Sequence, residues 1–372
     1  MNADGDNGYN TTLLSNHGGG VLGSTTTYAI FTGPRWNTNS GFTGDKISSI
    51  QSLLAGFGNS QYASILTEYS AAGVTVTPQS TFAATIVDNA TNFDNDPGTQ
   101  ALANYVCTQV TNNNITVSAN AVFIDYVETL PPEIIEDGQV VGFVLGYHGQ
   151  APTSCGSLKV AIIFNADEFV LASGYGTRST EAAGLASVSA HELAETITDF
   201  DVQTGWFDQV NPHEEIADKC AATTSGAGFS TLSNGDQFNL PGLWSNIAFG
   251  QGVGIPEFAG CVIAPPPPPL TVTIVGPSLV AESVSCTWTA QVSGGTPPYN
   301  WAQTAWYDVQ HDMLDPQQGF GTQAWTARVT TFAASNTEVA VTVSDAAGQT
   351  AGGIMFVRNT GWLGAYDHTY CR

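Results

Sequence analysis

Positive charge is what this 372-residue chain lacks most: 8 Lys and Arg stand against 32 Asp and Glu, a formal net charge of −24 at pH 7. Phosphate binding needs Lys and Arg, so no nucleic-acid partner is expected, and an anionic membrane surface is disfavoured on the same ground. There is no run of about 20 apolar residues, so no membrane span is expected. Charged residues make up only 11%, while Gly, Ser, Thr and Asn abound. That balance fits a secreted, protease-exposed protein. The opening Met1-Asn2-Ala3-Asp4-Gly5-Asp6 is acidic and is no signal peptide, so secretion would imply a presequence already removed. The six cysteines lack the CxxC pairs of a zinc ribbon. Their even number predicts three disulfides and an oxidising compartment. What is present suffices for packed cores: 42% hydrophobic and 10% aromatic residues.

At about 100–200 residues per domain the length predicts two domains. The unbroken run Pro265 to Pro269 marks the boundary as a stiff polyproline II spacer. Residues 1–264 then form one domain, 265–269 the linker and 270–372 the second. Downstream, Leu270–Ile274, Ser285–Ala290 and Thr337–Val343 alternate like strands, with Gly294-Gly295 and Pro297-Pro298 between them. About 100 residues of this kind predict an immunoglobulin-like sandwich, with Cys286 and Cys371 able to staple it. Upstream, Tyr28–Phe31, Ala121–Tyr126, Val141–Leu145 and Leu158–Phe164 read as strands. Ile47, Ile50, Leu53, Leu54 and Phe57 recur at helical spacing, as do Leu102, Tyr105 and Val106. A helix over Thr180–Thr198 follows, then an irregular region. The expected fold is α+β: a zincin-like mixed sheet with helices, followed by the all-β sandwich.

The sharpest feature lies on that helix: Ser189-Ala190-His191-Glu192-Leu193-Ala194-Glu195. Residues four apart share a helix face, so His191 and Glu195 can grip one divalent ion. Glu192 is about 100° round from His191, near enough to act as general base on a water bound to that ion. The pattern is that of His-Glu-x-x-His zinc sites with the second His replaced by Glu195. Ala186, Ala190, Leu193 and Ile197 occupy the opposite face, which predicts that the His/Glu face looks outward. A third ligand must come from elsewhere. Asp199, about 12 Å along a continuous helix from His191, is discounted. Glu215 is the candidate, with Asp218 as a further metal-site residue orienting His191, and Asp208 and His213 in reserve. One imidazole and two carboxylates must then converge on a single cation. Zinc suits that set; an all-oxygen site would suit calcium.

With these residues in place the chain resembles the plant Exordium, or phosphate-induced protein, family and its microbial relatives. The likeness rests on the block from Ser189 to Thr198, on Gly205-Trp206-Phe207, on Glu215 to Cys220, and on Asn239 and Cys261. It spans most of residues 25–262 and is most specific at 187–220. The resemblance implies an extracellular setting and a Cys220–Cys261 pairing, and its block carries over to His191, Glu192, Glu195, Glu215 and Asp218. The family's paired cysteines near the third sheet strand appear here as Cys155 alone, with Lys159 in the second place, so Cys155 would need Cys107. The proline spacer and the sandwich are additions to the family pattern.

Two functions follow as expectations. One is a secreted zinc metallopeptidase acting on peptide or protein, with Glu192 as base and Tyr147 or His148 stabilising the oxyanion. The other is a non-catalytic extracellular protein with a structural metal. Its sandwich would bind polysaccharide or protein, using Trp301, Trp306, Tyr307, Trp325 and Trp362 as stacking faces.

Overall fold

The computed structural model describes residues 12–37, 40–167, 178–210, 214–223, 229–255, 258–281, 283–310, 313–330, 335–346, 348–359 and 371. The chain divides into two compact units, Met1–Pro266 and Pro267–Arg372. His213 and Trp362 lie outside the described residues.

In the first unit β1 (Leu14–Asn16) leads into β2 (Thr25–Thr32), α1 (Lys46–Phe57), β3 (Ser80–Asp88), α2 (Gly98–Asn112) and β4 (Ala121–Val127). A hairpin of β5 (Glu133–Glu136) and β6 (Gln139–Phe143) follows. After it come β7 (Gly146–Thr153), β8 (Gly156–Ile163), α3 (Thr180–Thr198) and β9 (Trp206–Asp208). The main sheet has the order β3-β2-β4-β8-β7. Its first four strands are parallel and β7 closes the edge antiparallel to β8. Helices on both faces explain why β4, a central strand, is buried along its whole length. Alternation sorts the side chains. Phe31, Val122, Ile124, Tyr126, Ala161 and Ile163 join the core that contains α1 and α3. Ile30, Phe123, Val160, Ile162 and Tyr147 join the one beneath α2.

Two sequence expectations change here. The strand expected over Val141–Leu145 splits, because Asp137 and Gly138, both at positive φ, make a two-residue turn that folds β6 back on β5 outside the main sheet. The helix α3 matches its expected bounds, but its His/Glu face does not look outward. Every residue from Ala182 to Thr198 is buried, since β7, β8 and later loops enclose the helix on all sides.

The second unit pairs Thr271–Val275, Ser285–Ser293, Ala324–Val329 and Leu314–Asp315 in one sheet. Leu279–Val280, Thr350–Asn359, Ser335–Ser344, Ala305–Asp308 and Gln318–Phe320 form the other. Both sheets contribute to a core around Trp288, Trp306, Trp325 and Val341, the sandwich arrangement. Trp306 and Trp325 are therefore packing residues and not the stacking faces considered above; Trp301 and Tyr307 remain half-buried. Three disulfides join Cys107–Cys155, Cys220–Cys261 and Cys286–Cys371. Among the described residues no helix is long and apolar enough to cross a membrane.

Candidate metal centre

The centre is assembled from α3, β7 and the loop after β9. Ser179 starts α3: its hydroxyl accepts from the Ala182 N–H and donates to Asp45, which also accepts from the Ser179 N–H. The loop 214–218 is held by backbone bonds, Asp208 N–H to the Glu214 carbonyl and Trp244 N–H to the Ile216 carbonyl. The Cys220–Cys261 bridge then pins the chain two residues beyond Asp218.

His191 Nε2 lies 3.2 Å from Glu195 Oε1 and 3.2 Å from Asp218 Oδ1. Neither approach has hydrogen-bond alignment, and His191 Nδ1 and Nε2 are both buried without a hydrogen-bond partner. The Asp218 N–H donates to Glu195 Oε1 at 3.1 Å, holding the carboxylate in place. One imidazole and two carboxylates therefore do converge, but the second carboxylate is Asp218. Glu215 lies on the His148 side of the centre instead: its Oε1 is 3.7 Å from His148 Nε2. Asp208 is away from the centre, where it ion-pairs with Lys219. Asp199 is the residue after α3, and its carboxylate accepts from the Gly205 N–H at 2.8 Å.

The side chain that the motif does not announce is His148. It faces Ala161 on β8, on the α3 side of the sheet, whereas its neighbour Tyr147 faces Ile162 on the other side. Tyr147 donates to Asp96 there at 2.7 Å, which removes it from the site considered for it above. His148 Nδ1 is 3.4 Å from Glu192 Oε2 and 3.7 Å from Glu195 Oε2. His148 Nε2 donates to the Asp199 carbonyl at 3.0 Å. His148 was expected at the site as an oxyanion stabiliser, and the structure sets it against the Glu192 and Glu195 carboxylates. Among the described residues two triads could hold an ion: His191, Glu195 and Asp218, and His148, Glu192 and Glu195.

The charges explain each other. Burial pulls His191 down, but Glu195 and Asp218 outweigh it and carry the imidazole up to about 10. Burial raises Asp218, yet His191 brings its carboxyl down to about 2. Glu195 is raised by burial and by Asp218, with His191 offsetting part of that. Glu215 is raised well above its ordinary value by burial and then by Glu195 and Asp218. Glu192 ends below the usual carboxylate range, because His148 and His191 overcome its burial. A buried cluster with this excess of acid is one that a cation would relieve.

No known protein-family profile matches the sequence, and no curated protein matches it either. Among solved structures it is similar to a PKD domain of human KIAA0319, at 16% identity over 27% of this chain and 88% of that one, with a TM-score of 0.20. It is similar to the PKD1 domain of the Vibrio cholerae metalloprotease PrtV, at 18% identity over 24% and 96%, with a TM-score of 0.18. It is also similar to OgpA from Akkermansia muciniphila, at 10% identity over 90% and 92%, with a TM-score of 0.24.

Proposed function

We propose that this chain is a secreted, zinc-dependent hydrolase of peptide bonds in which His191, Glu195 and Asp218 hold the ion and Glu192 is the general base. The observation that carries this is His191 Nε2 standing 3.2 Å at once from a carboxylate oxygen of Glu195 and one of Asp218. Zinc bonds of about 2.0–2.1 Å at tetrahedral angles put neighbouring donor atoms about 3.3 Å apart. A hydrogen-bonded ion pair would close to about 2.7–2.9 Å. The donor set fits zinc, with an imidazole nitrogen beside two carboxylates, better than calcium, which takes 6–8 oxygens. When bound, the ion supplies Lewis acidity. Glu192 is ionised and oriented by His148, so it can accept a proton from a water next to the triad. The three disulfides and the Exordium-like block support an extracellular setting.

The test is metal content together with casein or gelatin cleavage, with and without chelator. Glu192→Gln should keep the ion beside His191 and abolish cleavage. Cleavage that survives the change removes Glu192 from the base role.

One observation favours a second reading. His191 is 0% exposed, and Glu192 and Glu195 are each 2% exposed. A metal so enclosed suits a structural role in a non-catalytic extracellular protein whose sandwich binds polysaccharide or protein. Under that reading no variant cleaves, chelation lowers the melting temperature, and removal of residues 267–372 abolishes ligand binding.

A further inference from the structure

The two triads share Glu195 but not the same oxygen. Oε1 faces His191 at 3.2 Å, and Oε2 faces His148 at 3.7 Å. We propose that the protein holds two divalent cations: one between His191, Glu195 and Asp218, the second between His148 Nδ1, Glu192 Oε2 and Glu195 Oε2, with the Glu195 carboxylate bridging them. This rests on the metal reading above and extends it from one ion to two.

The tautomer of His148 is the first support. The Asp199 carbonyl can only accept, so Nε2 carries the proton of that 3.0 Å bond. Nδ1 then faces two carboxylate oxygens, with a long 3.4 Å contact to Glu192 Oε2 and 3.7 Å to Glu195 Oε2, and a cation bound there would take the place of the Nδ1 proton. An imidazole whose other N–H is tied to a backbone carbonyl is the usual orientation of a metal-binding histidine. Distance gives the second support, since both separations lie nearer the tetrahedral edge of about 3.3 Å than a charge-assisted hydrogen bond of about 2.7–2.9 Å.

Charge gives the third. Glu192, Glu195, Glu215 and Asp218 bring four carboxylates to the centre against two imidazoles. With all four ionised and both imidazoles deprotonated on metal binding, one dication leaves two negative charges there and two dications leave none. Glu215 adds an independent sign. It is only 6% exposed, and its Oε1 has no hydrogen-bond partner and stands on the His148 side. A carboxylate bridging through both oxygens fits ions about 3.5–4 Å apart. With Oε2 on the second ion, Glu192 keeps its other oxygen for a proton.

The experiment uses the full chain loaded with zinc and desalted. Elemental analysis should give two zinc per chain, and crystals should show two anomalous peaks at the zinc edge about 3.5–4 Å apart, flanking Glu195. His148→Gln should lower the content from two to one and erase the peak on its side alone. One zinc per wild-type chain, with a single peak beside His191, overturns the second cation and leaves the first standing. No zinc at all overturns both readings. Should His148→Gln not fold, the wild-type stoichiometry and peak positions still decide.

Discussion

Gly146 packs directly against α3 in the candidate centre. A Cβ there would meet the Ile162 carbonyl at 2.9 Å and Glu192 Oε1 at 3.0 Å. Gly146→Ala is therefore expected to displace Glu192 and weaken its contact with His148. Peptide cleavage should fall by about 10-fold or more, while circular dichroism stays that of the wild type. Asp125 offers a separate test away from the metal. Burial pushes its carboxyl up to about 8, against one hydrogen bond from Thr32 and with Asp88 adding to the rise. The folded chain then holds a proton that the unfolded chain releases near pH 4. Stability from this group is full below that pH and is lost as pH climbs toward 8. Asp125→Asn should melt several degrees above the wild type at pH 8 and close to it at pH 4; equal melting at both would refute the assignment. At this scale the sequence was informative where chemistry is local. The four-residue spacing of His191 and Glu195 needs only a helix to bring them together. The choice between Glu215 and Asp218 was not legible, because it depends on how one loop is pinned from outside.

Elements decide how those residues are presented. The segment that delivers Asp218 runs from an irregular stretch into the 3-10 helix Asp218–Thr223, which the Cys220–Cys261 bridge anchors. Replacing both cysteines by serine should cost about 2–4 kcal/mol of stability. It should also weaken zinc binding, measured by competition with a chromogenic chelator. At the other end, Ser179 caps α3 and is itself held by Asp45. Ser179→Ala should lose about 1 kcal/mol in denaturant unfolding without altering metal stoichiometry. The strand β7 shows why part of the fold was hidden. Its residues, Gly146 to Thr153, include Gly146, Gly149 and Pro152, a composition that argues against a strand interior. An edge position tolerates it. Because this antiparallel edge was unrecognised, the choice between Tyr147 and His148 stayed open until the register set His148 toward α3. The edge strand β3 was missed for a related reason: its burial alternates weakly, so no clear period marks it.

The two units have separate cores, one pair of clusters around the mixed sheet and one cluster in the sandwich. Calorimetry should resolve two transitions. Zinc at about 100 times its dissociation constant stabilises its own unit by about 2.7 kcal/mol, so the ion should raise one transition and leave the other in place. A single transition, or an equal shift of both, would show that the units unfold together. The net charge of −24 also bears on the whole molecule, since it favours cation uptake and would make a zinc affinity salt-dependent.

By itself the sequence determined the helix α3, the strand character of the second unit and the face shared by His191 and Glu195. Each follows from periodicity within a short stretch of chain. Only the tertiary structure decided that this face is enclosed, that Asp218 and not Glu215 joins it, and that His148 stands opposite. Those outcomes depend on contacts between segments dozens of residues apart, which no local pattern encodes.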